Sequence, residues 1–280
     1  MFNNKVIVIS GFRRGGTNIL WNILQSHPSV CSAGYESGYI FKNNKIISLF
    51  RKTGLLHSRL AQHYLDYHFY RLKLQKNYQD TDNRFKYPDV EYTKEEIASS
   101  ILCFKSVDRG IYYTEILKQI YPEIYFIALT RNGYAIADGH SRRGKSIKDT
   151  GTLYSEIAEK MRDYSKELPN FKLIKFEEMI QDPFQISSQL FEFIGCTPVR
   201  LDHLRLKSKK IIRKDGTHAS NYGELGKKYW FDESGINQII DPDINKKQIQ
   251  RLSGSLIEDF NKFAGPALKF FGYEVMTGIE

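Results

Sequence analysis

The sequence predicts an α/β protein: a parallel β-sheet flanked by helices, with a phosphate-loop-like turn after its first strand and a helical insertion. Three observations carry this expectation. Short apolar runs rich in β-branched residues recur at 5–10 ("KVIVIS"), 100–106 ("SILCFKS"), 124–130 ("IYFIALT") and 171–176 ("FKLIKF"). Polar or helical stretches separate them, the alternation expected of parallel strands buried on both faces. The first run also leads through a glycine turn, "SGFRRGG", straight into a helical pattern.

With 280 residues, 41% hydrophobic and 14% aromatic, the chain can bury a full core. It reads as one domain over 1–280, with 41–96 a helical insertion or acceptor lid within it. Ile19, Leu20, Ile23 and Leu24 have helical spacing, and Pro28 ends that helix. In the insertion, Leu56, Leu60, Tyr64, Tyr67, Arg71 and Leu74 recur at helical intervals, followed by a polar loop over 77–89. That stripe reads either as an aromatic core face or as the wall of a lid. A helix is expected from Asp182, with Pro183 in its first turn and Gly195 at its end. Beyond Leu201 the chain is basic and loop-rich, then helical again.

The formal charge of +9 calls for an anionic partner. Its basic residues are scattered, with pairs at Arg13-Arg14, Arg142-Arg143 and Lys209-Lys210, which favours a pocket over a nucleic-acid track. Three widely spaced cysteines, Cys31, Cys103 and Cys196, predict buried thiols rather than a disulfide framework or metal site. The N-terminal segment carries no signal-like apolar region, and no run approaches the roughly 20 residues of a membrane helix. A soluble protein of the reducing cytoplasm is the expectation.

Gly11 and Gly16 have the G-x-x-x-x-G spacing of a phosphate loop, but Thr17 and Asn18 stand where its lysine and hydroxyl would follow. A glycine turn at a helix start offers unpaired N–H groups and the positive end of the helix dipole, so it suits a phosphate or sulfate. Gly16 allows close backbone approach, and Thr17 and Asn18 add side-chain donors. Without the lysine, nucleotide hydrolysis assisted by magnesium loses its usual support.

The stretch "GFRRGGTNILWNILQSHPSV" resembles the 5'-phosphosulfate loop of sulfotransferases that use 3'-phosphoadenosine 5'-phosphosulfate (PAPS). It matches at Gly11, Arg14, Gly16, Thr17, Leu20, His27 and Pro28, with Gly15 in place of a serine and Asn18 in place of a threonine. A second stretch, "IYFIALTRNGYAIADGHSRRG", is similar to the family's 3'-phosphate signature. It puts Arg131 at a strand end, Gly139 at the serine position, Ser141 two residues on as a replacement hydroxyl, and Arg143 at a further arginine position. Arg213 and Lys214 are similar to the late R-K-G loop, interrupted by Asp215; Lys105 in "FKSVDRG" and the segment 171–196 match further landmarks.

The motif style resembles the glycan and protein-tyrosine branches. The resemblance implies the P-loop NTPase-like sulfotransferase fold and sulfuryl transfer from PAPS to a hydroxyl acceptor, with PAP leaving and no metal. It implies that Arg13, Arg14, Gly15, Gly16, Thr17, Asn18, Arg131, Gly139, Ser141, Arg143, Arg213 and Lys214 bind the donor. Arg14 and Lys105 would be the catalytic cations and Glu36 the base, with Asp108 a lesser substitute. The acceptor would be a glycan or lipid-linked saccharide. His27 is expected to pack a helix end, and Phe176 either stacks near the adenine or fills the core. A P-loop kinase and a catalytically silent nucleotide- or nucleic-acid-binding protein are the alternatives.

Overall fold

In chain order the strands are β1 (Val6–Gly11), β2 (Val30–Glu36), the hairpin β3 (Phe85–Tyr87) and β4 (Val90–Glu91), β5 (Ile101–Val107), β6 (Ile124–Thr130) and β7 (Phe171–Lys175). They are followed by β8 (Leu204–Lys207), β9 (Lys210–Ile212), β10 (His218–Ser220) and β11 (Lys228–Phe231). The computed structural model describes residues 5–79, 85–87, 90–121, 123–196, 201–212 and 217–278. β1, β2, β5, β6 and β7 form one parallel sheet in the order β2-β5-β1-β6-β7. Two antiparallel ribbons, β8 with β11 and β9 with β10, lie outside it.

Strand alternation builds the two halves of the core. Val6, Val8, Leu102, Phe104, Phe126 and Ala128 face one cluster, while Ile7, Ile9, Ile101, Cys103, Ile127 and Leu129 face the other. The period-two pattern thus buries both faces of the sheet, as a parallel sheet covered by helices requires. All three cysteines are buried.

Four of the five sheet strands match the apolar runs. β2 escapes that reading because "VCSAGYE" is short of bulky β-branched residues and contains Gly34 at φ 72°. Its pairing with β5 is irregular between Ser32 and Glu36, and resumes with Glu36 opposite Lys105. Irregular pairing of this kind re-aims a side chain at the end of a strand.

The helix predicted in the insertion spans Arg59–Lys73, but on a different buried face. Ala61, Leu65, Phe69 and Leu72 are buried there, whereas Leu60 and Tyr67 are 68% and 59% exposed. Two helical stripes interleave in this segment, and the inner one wins because Phe69 meets Phe104 and Tyr121 of the core. The loop expected over 77–89 falls largely outside the described residues. Pro183–Ile194 forms the expected helix, closed by Gly195 at φ 67°. No helix among the described residues is long and apolar enough to cross a membrane.

Candidate active site

β1 ends at Gly11 between Val107 of β5 and Leu129 of β6, at the carboxyl edge of the sheet. The chain crosses to opposite sides of β1 from this point, the position where open α/β sheets hold ligands. The turn that follows is tight. Gly15 N donates to the carbonyl of Phe12 (2.9 Å), and Arg14 adopts φ 68°, a left-handed conformation unusual for a side-chain-bearing residue. Gly16, at φ 90°, opens the helix Thr17–Leu24. A Cβ on Gly16 would lie 2.3 Å from the Phe176 ring, so only glycine permits this approach. Ile19 N donates to the Gly16 carbonyl (2.8 Å), which leaves the Thr17 and Asn18 N–H groups as those an α-helix does not pair internally.

Arg14, Gly16, Thr17, Asn18, Arg131 and Phe176 line one cavity of about 370 Å³, joined by Lys209 and Tyr222. Arg131 is buried at the end of β6 and binds the loop directly: Nη1 donates to the Arg14 carbonyl at 2.6 Å. Its Nε donates to Asn245 (2.8 Å) and its Nη2 to Gln248, both on the helix Ile244–Ile249. The guanidinium lies 4.2 Å from the centroid of Phe176, so that ring stacks within the site and also supports Gly16.

The electrostatics are those of an anion site. Burial, with the Arg143 and Arg142 charges, holds the Arg14 guanidinium below its ordinary pKa. Burial draws Arg131 down to about 10, Glu177 opposing the shift and Arg14 adding to it. Lys209 is drawn down to about 8 by burial and then by Arg14, Lys105 and Arg131. Arg14, Arg131 and Lys209 converge on a cavity whose lining also includes Asp241, itself paired with Lys247, and such a gathering of cations favours an anion among them.

A second group of residues meets this cavity at Asn18. Lys105 is buried, and its Nζ donates to Asn18 Oδ1 (2.6 Å) and to Glu36 Oε1 (3.0 Å) while lying 5.1 Å from the Trp21 ring centroid. Asn18 lines the first cavity; Glu36 lines a cavity of about 560 Å³ with Arg51, Tyr112 and Lys145. Asn18, Lys105 and Glu36 thus form a hydrogen-bonded bridge between two cavities. β-Sheet register explains it, because Lys105 and Glu36 are partners on adjacent strands.

Several expected residues sit elsewhere. Arg13 is 59% exposed; its backbone N–H and Nε bind Asp108 (2.8 and 3.3 Å), and it lines the Glu36-side cavities rather than the first one. Asp108 is thereby committed to Arg13. Gly139 presses on Arg14: a Cβ there would lie 3.2 Å from Arg14 Cβ, so a serine would crowd the arginine stem. Ser141, two residues along the same helix, Gly133–Ser141, lies about 200° round its axis and so does not face Arg14 as Gly139 does. Arg143 donates back to the Gly139 carbonyl (2.9 Å) and acts on Arg14 only through charge. Arg213 and Lys214 lie outside the described residues. His27 packs on Phe191 with ring centroids 4.7 Å apart and accepts from Ser29 N–H, a structural role.

Sequence reasoning missed Lys209, Asn245 and Gln248. Lys209 was visible only as half of a basic pair, and the amides bear no motif; folding alone brings them to Arg131. Among the described residues no group of three His, Cys, Asp or Glu is placed to hold a metal ion.

Two solved structures share the fold. One is the sulfotransferase domain from the Synechococcus PCC 7002 olefin synthase, at TM-score 0.55 and 15% identity, covering 98% of this chain and 97% of that one. The other is the sulfotransferase domain from the curacin biosynthetic pathway, at TM-score 0.52 and 15% identity, covering 99% and 100%. Comparison with curated proteins gives no significant match. The sulfotransferase family model, however, matches residues 6–199, from the start of β1 past the helix Pro183–Ile194, which carries both signatures described above. This chain therefore belongs to the sulfotransferase family and is a sulfotransferase enzyme.

Proposed function

We propose that this enzyme transfers a sulfuryl group from PAPS to a hydroxyl group of a saccharide-containing acceptor. The observation that carries the proposal is the Asn18–Lys105–Glu36 bridge, which joins a cation-lined cavity to a second cavity at a carboxylate. The residues fit the donor. The Gly16 turn and first-turn N–H groups suit its 5'-phosphosulfate, Arg14 and Lys209 add charge, Arg131 keeps N–H groups for the 3'-phosphate, and Phe176 with Tyr222 offers aromatic walls to the adenine.

Bound there, PAPS supplies an activated sulfuryl group, whose bond to the phosphate oxygen breaks as a bond to the acceptor oxygen forms. Lys105 and Arg14 stabilise the negative charge left on that phosphate. Glu36 takes the proton lost by the acceptor hydroxyl; Lys105 occupies Oε1, and we assign the proton to Oε2. Arg14 stays charged throughout and serves only to position and stabilise. The whole chain works as one domain, with 41–96 supplying part of the acceptor-side wall.

Calorimetric titration with PAP beside ATP and ADP tests the donor. Selective binding of PAP is expected, and equal or tighter binding of ATP would overturn the assignment. Glu36→Gln is expected to reduce turnover about 10²- to 10⁴-fold, with PAP affinity changed less than about twofold. A parallel loss of both would make Glu36 a binding residue instead.

PAP affinity should also depend on pH through Lys209. The charged ammonium binds the anion, and in the free protein it loses its proton near pH 8. Affinity is therefore greatest below that pH and falls above it, by up to about tenfold per unit, until the raised pKa of the complex is reached. The phosphates are fully ionised above about pH 7, so they do not produce this decline. Lys209→Met should bind more weakly at pH 7 and show a flat profile from pH 7.5 to 9; an unchanged decline would exclude Lys209 as its source.

A further inference from the structure

We propose that Asn245 and Gln248 are positioning residues for the donor: they aim the Arg131 guanidinium at the 3'-phosphate while keeping carboxylates from neutralising it. This rests on the donor reading above. The two amides stand three residues apart on the half-buried face of the helix Ile244–Ile249, whose lysines, Lys246 and Lys247, face solvent. Asn245 Oδ1 accepts from Arg131 Nε (2.8 Å), and Gln248 Oε1 accepts from Arg131 Nη2. One helix face therefore takes one edge of the guanidinium.

Behind each amide lies a carboxylate. Asn245 Nδ2 donates to Glu177 Oε1, and Gln248 Nε2 donates to Asp138 Oδ2 (3.3 Å). A guanidinium only donates and an ionised carboxylate only accepts, so an amide between them can face one way: oxygen to the arginine, NH2 to the carboxylate. The carboxylates are themselves held. Arg251 grips Asp138 through Nε (3.0 Å) and Nη2 (2.6 Å), while Glu177 accepts from the Tyr273 hydroxyl (2.7 Å) and from Asn132 N–H (3.0 Å). Two relays thus run from Arg131 into the fold, and neither amide can turn without breaking a bond at each end.

The amides also separate charges. Among the described residues no carboxylate is ion-paired with Arg131; Asp138 is paired with Arg251 instead. A carboxylate in direct contact would compete with phosphate for the guanidinium fork and cancel its charge. A neutral amide orients the side chain and leaves the charge in place. The Arg14 carbonyl takes Nη1 (2.6 Å), so three of the five guanidinium N–H groups are bound, and two have no partner among the described residues. Arg131 lines the donor cavity and is buried, so these two groups meet an anion there without the cost of ordering a long side chain.

Titration of the full chain with PAP and with AMP, which lacks the 3'-phosphate, separates positioning from mere support of the cavity wall that Ile244 of the same helix provides. Wild type should bind PAP at least about tenfold more tightly than AMP. The double variant N245A/Q248A should bind PAP about tenfold more weakly, with AMP affinity within about twofold of wild type. Asp138 and Glu177 keep their other partners in that variant, so the fold should survive, and AMP binding reports it. Unchanged PAP affinity overturns the proposal, as does an equal loss for both nucleotides, which would make the helix a wall and nothing more. In an Arg131→Met background the same two changes should alter PAP affinity by less than about twofold, because they act through Arg131; a further tenfold loss there would give the amides contacts of their own and reject the positioning role. A wild type without preference for PAP over AMP removes the donor reading and this proposal with it, whereas a preference that survives the loss of both amides sinks this proposal alone.

Discussion

Arg14→Ala is expected to lower sulfuryl transfer by about 10³-fold or more, the scale seen when a positioned arginine is removed from a phosphoryl-transfer site. PAP affinity should fall about tenfold to a hundredfold, as befits lost charge-assisted hydrogen bonds. The fold should survive. The side chain contributes no hydrogen bond to the loop; the bond from Arg131 is made to the Arg14 carbonyl, which alanine keeps. Alanine meets the same left-handed backbone as arginine, so the substitution adds little strain, and it removes a charge that Arg142 and Arg143 repel. Arg14→Lys should recover part of the affinity and little of the turnover, because an ammonium lacks the planar fork. Wild-type turnover in Arg14→Ala would end the assignment of Arg14 as the catalytic cation.

Gly16→Ala should have the largest effect on stability. The new Cβ would sit 2.3 and 2.4 Å from two Phe176 ring carbons, at φ 90°. Left-handed backbone costs about 1–2 kcal/mol for a residue with a Cβ, and forced overpacking about 1–3 kcal/mol. For a chain of this size each kcal/mol lowers the melting temperature by roughly 2–4 °C, so a fall of about 5–15 °C is expected. PAP binding should fail too, because a displaced Phe176 removes the support beneath Arg131. Combining Gly16→Ala with Phe176→Ala tests the cause, since the two sites are in contact and should couple. The double variant should be less destabilised than the sum of its parts; strict additivity would place the damage in the backbone alone.

The parts of the site that lie along one strand-turn-helix unit were legible before folding. Gly11, Gly16, Thr17 and Asn18 are neighbours in the chain, and the apolar run before them ensures that the turn sits at a strand end. Arg131 was legible for the same reason, at the end of its own apolar run. Glu36 was placed by resemblance, but not as the strand partner of Lys105, because the small and polar residues of β2 carry no strand pattern. The insertion's helix was visible, yet its buried face was misread, since periodicity cannot choose between two apolar stripes when both are present.

The sequence by itself determined the parallel α/β sheet, the glycine turn at its carboxyl edge and the family, because each depends on residues close together in the chain or on period-two burial. Only the tertiary structure decided that Lys105 bridges Asn18 and Glu36, that Gly139 supports Arg14, and that Lys209, Asn245 and Gln248 join the site. These contacts span tens to more than a hundred residues. They follow from strand order and helix docking, which set distances that no local pattern encodes.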